Sequence, residues 1–210
     1  MSERALRSGA AELGLALSRD TLGRLLRYLE LLAKWNRVFN LTSIRNEREW
    51  VTQHLLDCLA VTPHLPPGSL IDVGSGAGLP GVPIALACPE RAVLLLDSNQ
   101  KKGAFLQQTV SELGLSNTRV HISRVESFQP EKPFAVVISR AFADLARFVR
   151  SAKHLCAPQG RLVAMKGGYP QEELALLPPA AIDRVLPLAV PGLGARRHLV
   201  LVDPLRLEPR

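Results

Sequence analysis

Apolar residues in the first 65 positions recur at steps of three and four, which is the spacing of one helix face. The clearest run follows Ser18, a residue type that caps helix N-termini, and has leucines at positions 22, 25, 26, 29 and 32. The spacing predicts a long helix that begins after Ser18 and buries its leucine face.

A second helical pattern begins near Asn46, which with Glu49 three residues later resembles a capping box. After this cap, Val51, His54 and Leu55 share one face of the predicted helix. Three prolines between positions 63 and 67 then end the helical pattern. We therefore expect a helical extension over residues 1–65, packed on a core domain over residues 66–210.

From position 69 onward, short apolar runs alternate with helical stretches, which is typical of a doubly wound α/β fold. Uninterrupted apolar runs such as residues 93–96 fit parallel strands that are covered on both faces. We expect helices over 82–88, 101–113 and 143–155, with a short connector at 124–128. The last two strands are joined by a Pro/Gly-rich turn, which predicts an antiparallel strand in an otherwise mostly parallel, Rossmann-like sheet. About seven strands are predicted, at 69–73, 92–97, 119–122, 134–139, 160–165, 182–190 and 197–203.

Composition places this pattern in an ordinary globular protein, because 47% of the 210 residues are hydrophobic and 21% are charged. The apolar runs are shorter than the roughly 20 residues that a membrane span needs, and the N-terminal residues lack the apolar block of a secretory signal. The three cysteines are scattered and form no CxxC pair, which argues against a disulfide framework or a zinc site. We expect a cytoplasmic, monomeric protein with no membrane segment and no metal.

The net charge of +7 is unevenly distributed along the chain. Residues 1–50 carry an excess of three positive charges and residues 140–210 an excess of five, whereas residues 51–139 carry one net negative charge. A surplus of positive charge on the flanks suits a polyanion such as RNA, although many soluble proteins have basic surfaces without binding one.

A glycine-rich loop follows the first predicted strand, in the run from Leu70 to Gly81. Two interpretations compete for it. Counted from Gly76, the glycines at 76, 78 and 81 match the GxGxxG pattern of an NAD(P)-dependent oxidoreductase. Counted from Asp72, the run is D-x-G-x-G-x-G, with glycines at 74, 76 and 78, which is the loop of S-adenosylmethionine-dependent methyltransferases.

The residues around the loop favour S-adenosylmethionine. Gly74 follows the strand directly, and the Asp72 carboxylate would repel a pyrophosphate but attract a methionyl ammonium group. Pro80 and Pro83 remove N–H donors from the start of the next helix. Asp97 ends the second strand, where an acidic side chain accepts ribose hydroxyls in either cofactor class or caps the next helix. We therefore predict a class I methyltransferase sheet.

Motifs that the sequence lacks reduce the number of possible methyl acceptors. No Pro-Cys pair follows the fourth strand, as a pyrimidine C5 target would need, and that strand ends in Ser139-Arg140-Ala141-Phe142 rather than the Asn/Asp-Pro-Pro-aromatic motif of amine methylation. An aromatic nitrogen such as guanine N7 needs no general base. Arg140, Arg124 and Lys166 are the candidate catalytic residues, as donors to a guanine or its phosphates, or else ordinary surface cations.

The chain resembles the bacterial 16S ribosomal RNA (guanine-N7)-methyltransferase family known as RsmG or GidB, over roughly residues 30–202. The resemblance rests on motifs that occur in order: Lys34-Trp35-Asn36, Phe39-Asn40-Leu41-Thr42-Ser43, His54-Leu55-Leu56-Asp57, the run Ile71 to Gly81, Ser123-Arg124-Val125-Glu126, Ile138-Ser139-Arg140-Ala141, Lys166-Gly167 and Arg197-His198-Leu199.

The resemblance implies methylation of a guanine in the decoding-region loop of the 16S ribosomal RNA, as free RNA or in the small ribosomal subunit. A small-molecule methyltransferase remains a further alternative, which the basic flanks disfavour. The implied cofactor contacts, together with those predicted from the loop, are Asp72, Gly74, Gly76, Gly78, Leu79, Asp97, Ser98, Asn99, Val125, Glu126 and Arg140. The implied RNA contacts are Asn40, His54, Arg124, Lys166 and Arg197. His54 is also compatible with a buried structural histidine, because it lies on an apolar helix face.

Overall fold

The structure, a computed structural model, describes residues 2–140, 142 and 144–207. Ala141, the last residue of one quoted motif, and Ala143, the first residue of a predicted helix, lie outside the described residues. Seven strands form one sheet, as the apolar runs predicted. They are β1 (Leu70–Val73), β2 (Val93–Asp97), β3 (Thr118–Ile122), β4 (Phe134–Ser139), β5 (Cys156–Lys166), β6 (Ile182–Leu188) and β7 (Arg197–Val202).

The strand order across the sheet is β3-β2-β1-β4-β5-β7-β6. β1 to β5 pair in parallel, while β7 runs antiparallel to both of its neighbours, β5 and β6. The mostly parallel sheet with one antiparallel strand near the C-terminus is therefore confirmed. The order reverses between β1 and β4, and such a switch point opens a crevice at the carboxyl ends of the strands.

Helical segments cover both faces of the sheet, and successive strand residues alternate between two apolar clusters. Leu70 packs in one cluster with the N-terminal helices, and its neighbour Ile71 packs in the other, with the helix that follows β4. This burial on both faces explains why the strands are almost continuously apolar. The α-helices are α1 (Glu3–Glu12), α2 (Arg19–Phe39), α3 (Asp57–Leu59), α4 (Gly81–Ala87), α5 (Gln100–Glu112), α6 (Leu145–Ala152) and α7 (Gln171–Leu174).

The N-terminal region begins as its caps predicted, but one of its helices is irregular. The Ser18 side chain accepts a hydrogen bond from the Thr21 amide at 3.0 Å and starts α2. Asn46 also caps, yet it opens a 3₁₀ turn followed by a π-helical segment, Val51–Leu56, that leads into α3. Leucines of α2 share one cluster with β1 and β2. The division into 1–65 and 66–210 stays a prediction.

No helix in the part of the chain that the structure describes combines the length and the apolar character that a bilayer crossing requires.

Candidate functional site

Two cavities lie side by side at the carboxyl edge of the sheet. The first, of about 600 Å³, spans the ends of β1, β2 and β3 and reaches the segment between β4 and α6. The second, of about 480 Å³, spans the loop after β1, the ends of β4 and β5, the start of β7 and part of the helical region. Gly74 and Lys102 line both cavities. The two spaces therefore meet where β1 ends.

The glycine loop forms the boundary between the cavities because its backbone turns through left-handed conformations. Gly74 has φ of +70° and Gly76 has φ of +58°, values that side-chain-bearing residues adopt at a cost. Among the described residues, a Cβ at Gly74 would meet only Phe142 Cε2, at 4.0 Å. Those residues leave the space above this glycine open to a ligand that approaches the backbone.

Asp97, the last residue of β2, binds the backbone of the glycine loop through its carboxylate. Its Oδ2 accepts the Gly76 amide at 2.8 Å, and its Oδ1 accepts the Asn99 amide at 2.8 Å. An ionised carboxylate has about four lone-pair sites, so two acceptor sites remain for a ligand. Asp97 is 8% exposed and lines the first cavity. The other described residues of that lining are Val73, Gly74, Leu96, Ser98, Lys102, Ser123, Arg124, Val125, Glu126, Phe142, Asp144 and Arg147.

Asp72 lies beneath the loop and outside the linings of both cavities. It is fully buried, and its Oδ2 accepts the Gly81 amide, the first N–H of α4, at 2.9 Å. Burial raises the pKa of Asp72 to about 7, although the Gly81 hydrogen bond and the nearby Arg140 charge oppose the rise. Asp72 Oδ2 therefore anchors the start of α4, and an attraction of the carboxylate to a methionyl ammonium group, directly or through water, stays a prediction.

Three other predicted cofactor residues differ in their placement. Gly78, with φ of +85°, packs against Val82 and Leu106, and Asn99 caps α5 by accepting the amides of Lys101 and Lys102. Both lie outside the two cavity linings. Leu79 lines the second cavity, not the first.

The second cavity brings together three of the predicted cations. Its lining includes Arg140 after β4, Lys166 at the end of β5 and Arg197 at the start of β7. Strands β4, β5 and β7 are adjacent, so their ends converge although 57 positions of sequence separate the first cation from the last. The other described lining residues are Leu41, Thr42, Ser43, Ile44, Gln53, His54, Asp57, Gly74, Ser75, Gly76, Ala77, Leu79, Lys102, Met165 and Gly167.

Asp57 joins two of these cations and is a residue to which sequence reasoning assigned no role. Its Oδ1 accepts Arg197 Nε at 2.8 Å, and its Oδ2 lies 3.5 Å from Arg140 Nη1. The same Arg140 nitrogen donates to the Gln53 carbonyl at 3.3 Å. Asp57 is 4% exposed, so its charge acts in a weakly screened environment. It fixes the positions of both guanidinium groups at the wall of the cavity.

Lys166 is held by a separate carboxylate. Its Nζ lies 2.6 Å from Glu173 Oε2 and 3.1 Å from the Phe142 carbonyl. The Lys166 side chain is only 9% exposed. It therefore reaches the second cavity as a positioned charge with little conformational freedom.

His54 forms part of the wall of the second cavity as a neutral ring. Its Nε2 lies 3.0 Å from Thr42 Oγ1, and the ring packs 5.6 Å from Trp50. Burial, with the positive charge of Arg140, lowers the pKa of His54 to about 4. His54 is thus both a buried histidine and a cavity residue.

Arg124 and Asn40 lie away from the three clustered cations. Arg124 lines the first cavity, so the structure separates it from Arg140 and Lys166. Asn40 ends α2 in a left-handed conformation with φ of +48° and is exposed next to the lining segment 41–44. Lys102, which lines both cavities, was missed because its neighbours in the sequence suggested only the first turn of a helix.

Thiol and metal chemistry find no support among the described residues. Burial raises the pKa of Cys58, which lies 3.9 Å from Arg140, well above its usual range and so keeps the thiol protonated. Within residues 2–140, 142 and 144–207, no group of three or more His, Cys, Asp or Glu side chains could hold a metal ion.

Comparison with known families gives one match over most of the chain. The family model described as GidB, rRNA small subunit methyltransferase G, matches residues 21–200. Two curated relatives named ribosomal RNA small subunit methyltransferase G are each 53% identical. The protein of Chromobacterium violaceum aligns over 93% of this chain and 94% of its own length. That of Nitrosospira multiformis aligns over 94% and 95%.

Solved structures support the fold at lower identity. A SAM-dependent methyltransferase from Aquifex aeolicus superposes with a TM-score of 0.57 at 18% identity, over 78% of this chain and 96% of that one. The S-adenosylmethionine-dependent methyltransferase SibL has the same TM-score at 16% identity, over 99% and 77%. These similarities concern the fold alone.

Proposed function

Since the chain belongs to the rRNA small subunit methyltransferase G family, we propose that it transfers a methyl group from S-adenosylmethionine to N7 of a guanine in the decoding-region loop of 16S ribosomal RNA. The observation that carries this proposal is the pair of cavities that meet at Gly74. One is lined by a carboxylate suited to a ribose, and the other by clustered cations suited to a nucleotide. The transferred group would pass between them at the end of β1.

The residues of the first cavity fit S-adenosylmethionine. Gly74 leaves open space above its backbone, and Asp97 retains acceptor sites for two ribose hydroxyls. Ser98 and the segment 123–126 line the same cavity, where Val125 and Glu126 would contact the adenine. Gly78 and Asn99 would support this site through the backbone of the loop and of α5, without touching the cofactor.

Bound S-adenosylmethionine supplies an electrophilic methyl group, so the protein's task is to align the acceptor and exclude water. The N7 atom of guanine carries a lone pair and no proton, so transfer requires no general base. The neutral His54 ring and the protonated Cys58 thiol are consistent with that requirement. We expect no metal to take part.

Arg140, Arg197 and Lys166 would position the acceptor. Guanidinium and ammonium groups donate hydrogen bonds to guanine O6 and to phosphates. Arg140 and Arg197 are fixed by Asp57, and Lys166 by Glu173, which limits the conformational entropy lost when RNA binds. Arg140 directly follows β4, which pairs with β1, so it would also contact the methionine end of the cofactor.

We further propose that the enzyme acts as a monomer in the cytoplasm, where its ribosomal substrate is assembled. Support for the monomer is that the apolar face of α2 is already buried, and α2 packs against α1, α4 and α5 of its own chain. Neither a nicotinamide-dependent oxidoreductase nor a small-molecule methyltransferase is favoured, given the family to which the chain belongs.

The test is methyl transfer from labelled S-adenosylmethionine to small ribosomal subunits from cells that lack the enzyme, followed by mapping of the label. Asp97→Ala should weaken binding of S-adenosylhomocysteine, whereas Arg197→Ala should leave that binding intact and lower RNA methylation. Label on an exocyclic amine, or no label on any ribosomal substrate, would contradict the proposal. Equal effects of both variants on both measurements would refute the division into cofactor and RNA cavities.

A further inference from the structure

Exposed aromatic side chains mark the surface around the second cavity. In the part of the chain that the structure describes, five large hydrophobic residues are exposed, and two of them are aromatic: Phe39 at 38% and Tyr169 at 58%. Leu41, two positions after Phe39, and Gly167, two positions before Tyr169, both line the second cavity. Two residues span at most about 7 Å of chain, so both aromatic residues lie close to its opening.

Tyr169 is oriented by a neighbour from another strand. Its ring lies 5.6 Å from that of His198, with an angle of 84° between the ring planes. His198 directly follows Arg197, which lines the second cavity. Tyr169 is therefore next to lining residues both along its own chain segment, at Gly167, and through its contact with His198. The exposed ring is therefore held at a defined place, and the Gly167 carbonyl lies 3.4 Å from Nδ1 of the same His198.

Phe39 lies in a basic surrounding. The Nζ atom of Lys101 lies 5.8 Å from the centre of the Phe39 ring, and the Trp35 ring packs 5.2 Å away. Lys34 and Arg37, on the last turns of α2, are exposed. Lys101 directly precedes Lys102, which lines both cavities. An exposed aromatic ring among cations that approach a cavity is the combination that binds single-stranded nucleic acid.

Resting on the proposed function, we propose that Tyr169 and Phe39 are stacking surfaces for the bases that flank the methylated guanine. A guanine that enters the second cavity must leave the stack of its neighbours, which exposes the faces of the flanking bases. Proteins that read RNA loops cover such faces with aromatic side chains. Here the two rings would receive the flanking bases, while Lys34, Arg37 and Lys101 would contact the phosphates. The partner is thus an unpaired RNA segment.

The test compares Tyr169→Ala and Phe39→Ala with the wild-type protein in methylation of small ribosomal subunits. Stacking on one aromatic ring contributes a factor of roughly 10 to 100 in affinity, so each variant should lose about that factor in kcat/KM for the subunit. The affinity for S-adenosylhomocysteine should not change, because neither side chain lines the first cavity. Tyr169→Phe should retain activity, because stacking does not need the hydroxyl group.

Leu205→Ala is the matched control, because Leu205 is also an exposed hydrophobic residue, at 66%. It follows the far end of β7, roughly 20 Å along the strand from Arg197, and its loss should leave methylation unchanged. Wild-type activity in both alanine variants would refute the stacking surfaces and leave the proposed function standing. A Tyr169→Phe variant as inactive as Tyr169→Ala would also refute them, in favour of a hydroxyl contact. A wild-type protein that labels no ribosomal RNA would refute the proposed function itself.

Discussion

Replacement of Asp97 by asparagine tests the cofactor site with the least change in shape. The carboxylate accepts two backbone amides, from Gly76 and Asn99, and keeps two acceptor sites that face the first cavity. Each Asp97 oxygen accepts one of these amides, so the NH₂ group of asparagine must face one of the two backbone donors, and it offers a donor in place of an acceptor to one ligand hydroxyl. The variant therefore weakens both the loop and the cofactor contact.

The size of the effect follows from these contacts. A hydrogen bond to a charged group contributes about 1.5–3 kcal/mol. Loss of the charged acceptor for the ribose should therefore weaken cofactor binding by about 2–3 kcal/mol, or roughly 30- to 160-fold. One backbone amide of the free protein also loses its acceptor, which should lower the free energy of unfolding by about 1–3 kcal/mol.

The assay is calorimetric titration with S-adenosylhomocysteine, together with urea unfolding of the free protein. Asn99→Ala is the control from the same turn, because Asn99 also accepts backbone amides but lies outside the cavity linings. It should cost about 1 kcal/mol of stability through the lost helix cap and change the affinity by about twofold or less. Wild-type affinity in Asp97→Asn, or an equal loss in Asn99→Ala, would refute the assignment of Asp97 to the ribose.

Three further predictions concern the rest of the site. Asp57→Asn leaves two half-buried guanidinium groups without their counter-charge, so urea unfolding should show a loss of about 2–4 kcal/mol. Methylation should fall by a larger factor than S-adenosylhomocysteine affinity, because Arg140 keeps its contact with the Gln53 carbonyl whereas Arg197 loses its carboxylate partner. The pKa of His54 is lowered to about 4 in the folded protein, so the free energy of unfolding that His54 contributes is lost as pH falls below the unfolded pKa of 6.5. The pKa of Asp72 is raised to about 7, so Asp72 adds to the free energy of unfolding as pH falls over the same range. Between pH 7.5 and pH 5, His54→Gln should therefore lose about 2 kcal/mol less unfolding free energy than the wild-type protein. Gly81→Ala would place a Cβ against Leu95 and 2.8 Å from Asp72 Oδ2, so it should lower the free energy of unfolding by about 1–3 kcal/mol.

Each of these has a contradicting result. Wild-type stability and methylation in Asp57→Asn would show that the arginines position themselves without it. A pH dependence of stability that is unchanged in His54→Gln would mean that the ring takes up its proton at the same pH in the folded and the unfolded protein. A Gly81→Ala variant as stable as the wild-type protein would mean that α4 can move away from β2.

The sheet could be predicted because its strands are buried on both faces, which leaves uninterrupted apolar runs in the sequence. The start of β5 was predicted incorrectly. The sequence predicted that the strand begins at residue 160, whereas it begins at Cys156. Pro158 and Gly160 indicate a turn in the sequence. In the structure they fall where the pairing with β4 shifts register between Phe134 and Val136, and such an irregularity tolerates them.

The sequence indicated the position of Asp97 in the first cavity better than that of Asp57 in the second. Asp97 ends an apolar strand 21 positions after Gly76, whose amide it accepts, so the pattern of strand ends was enough to predict that it lies at the same sheet edge as the loop. Asp57 lies on an irregular helix, and its partners Arg140 and Arg197 follow 83 and 140 positions later. Nothing local to Asp57 indicates those contacts. The sequence indicates that Asp72 precedes the glycine loop, but only the packing of α4 shows that its Oδ2 accepts the Gly81 amide.

Identification of the methylated atom is the measurement that tests the central claim most directly. Small ribosomal subunits from cells without the enzyme would be incubated with the protein and labelled S-adenosylmethionine, and the RNA would then be cleaved chemically at N7-methylguanine. We predict cleavage at a single guanine of the decoding-region loop, with all of the label on N7. Label on another atom of that guanine, or on another base, would contradict the account.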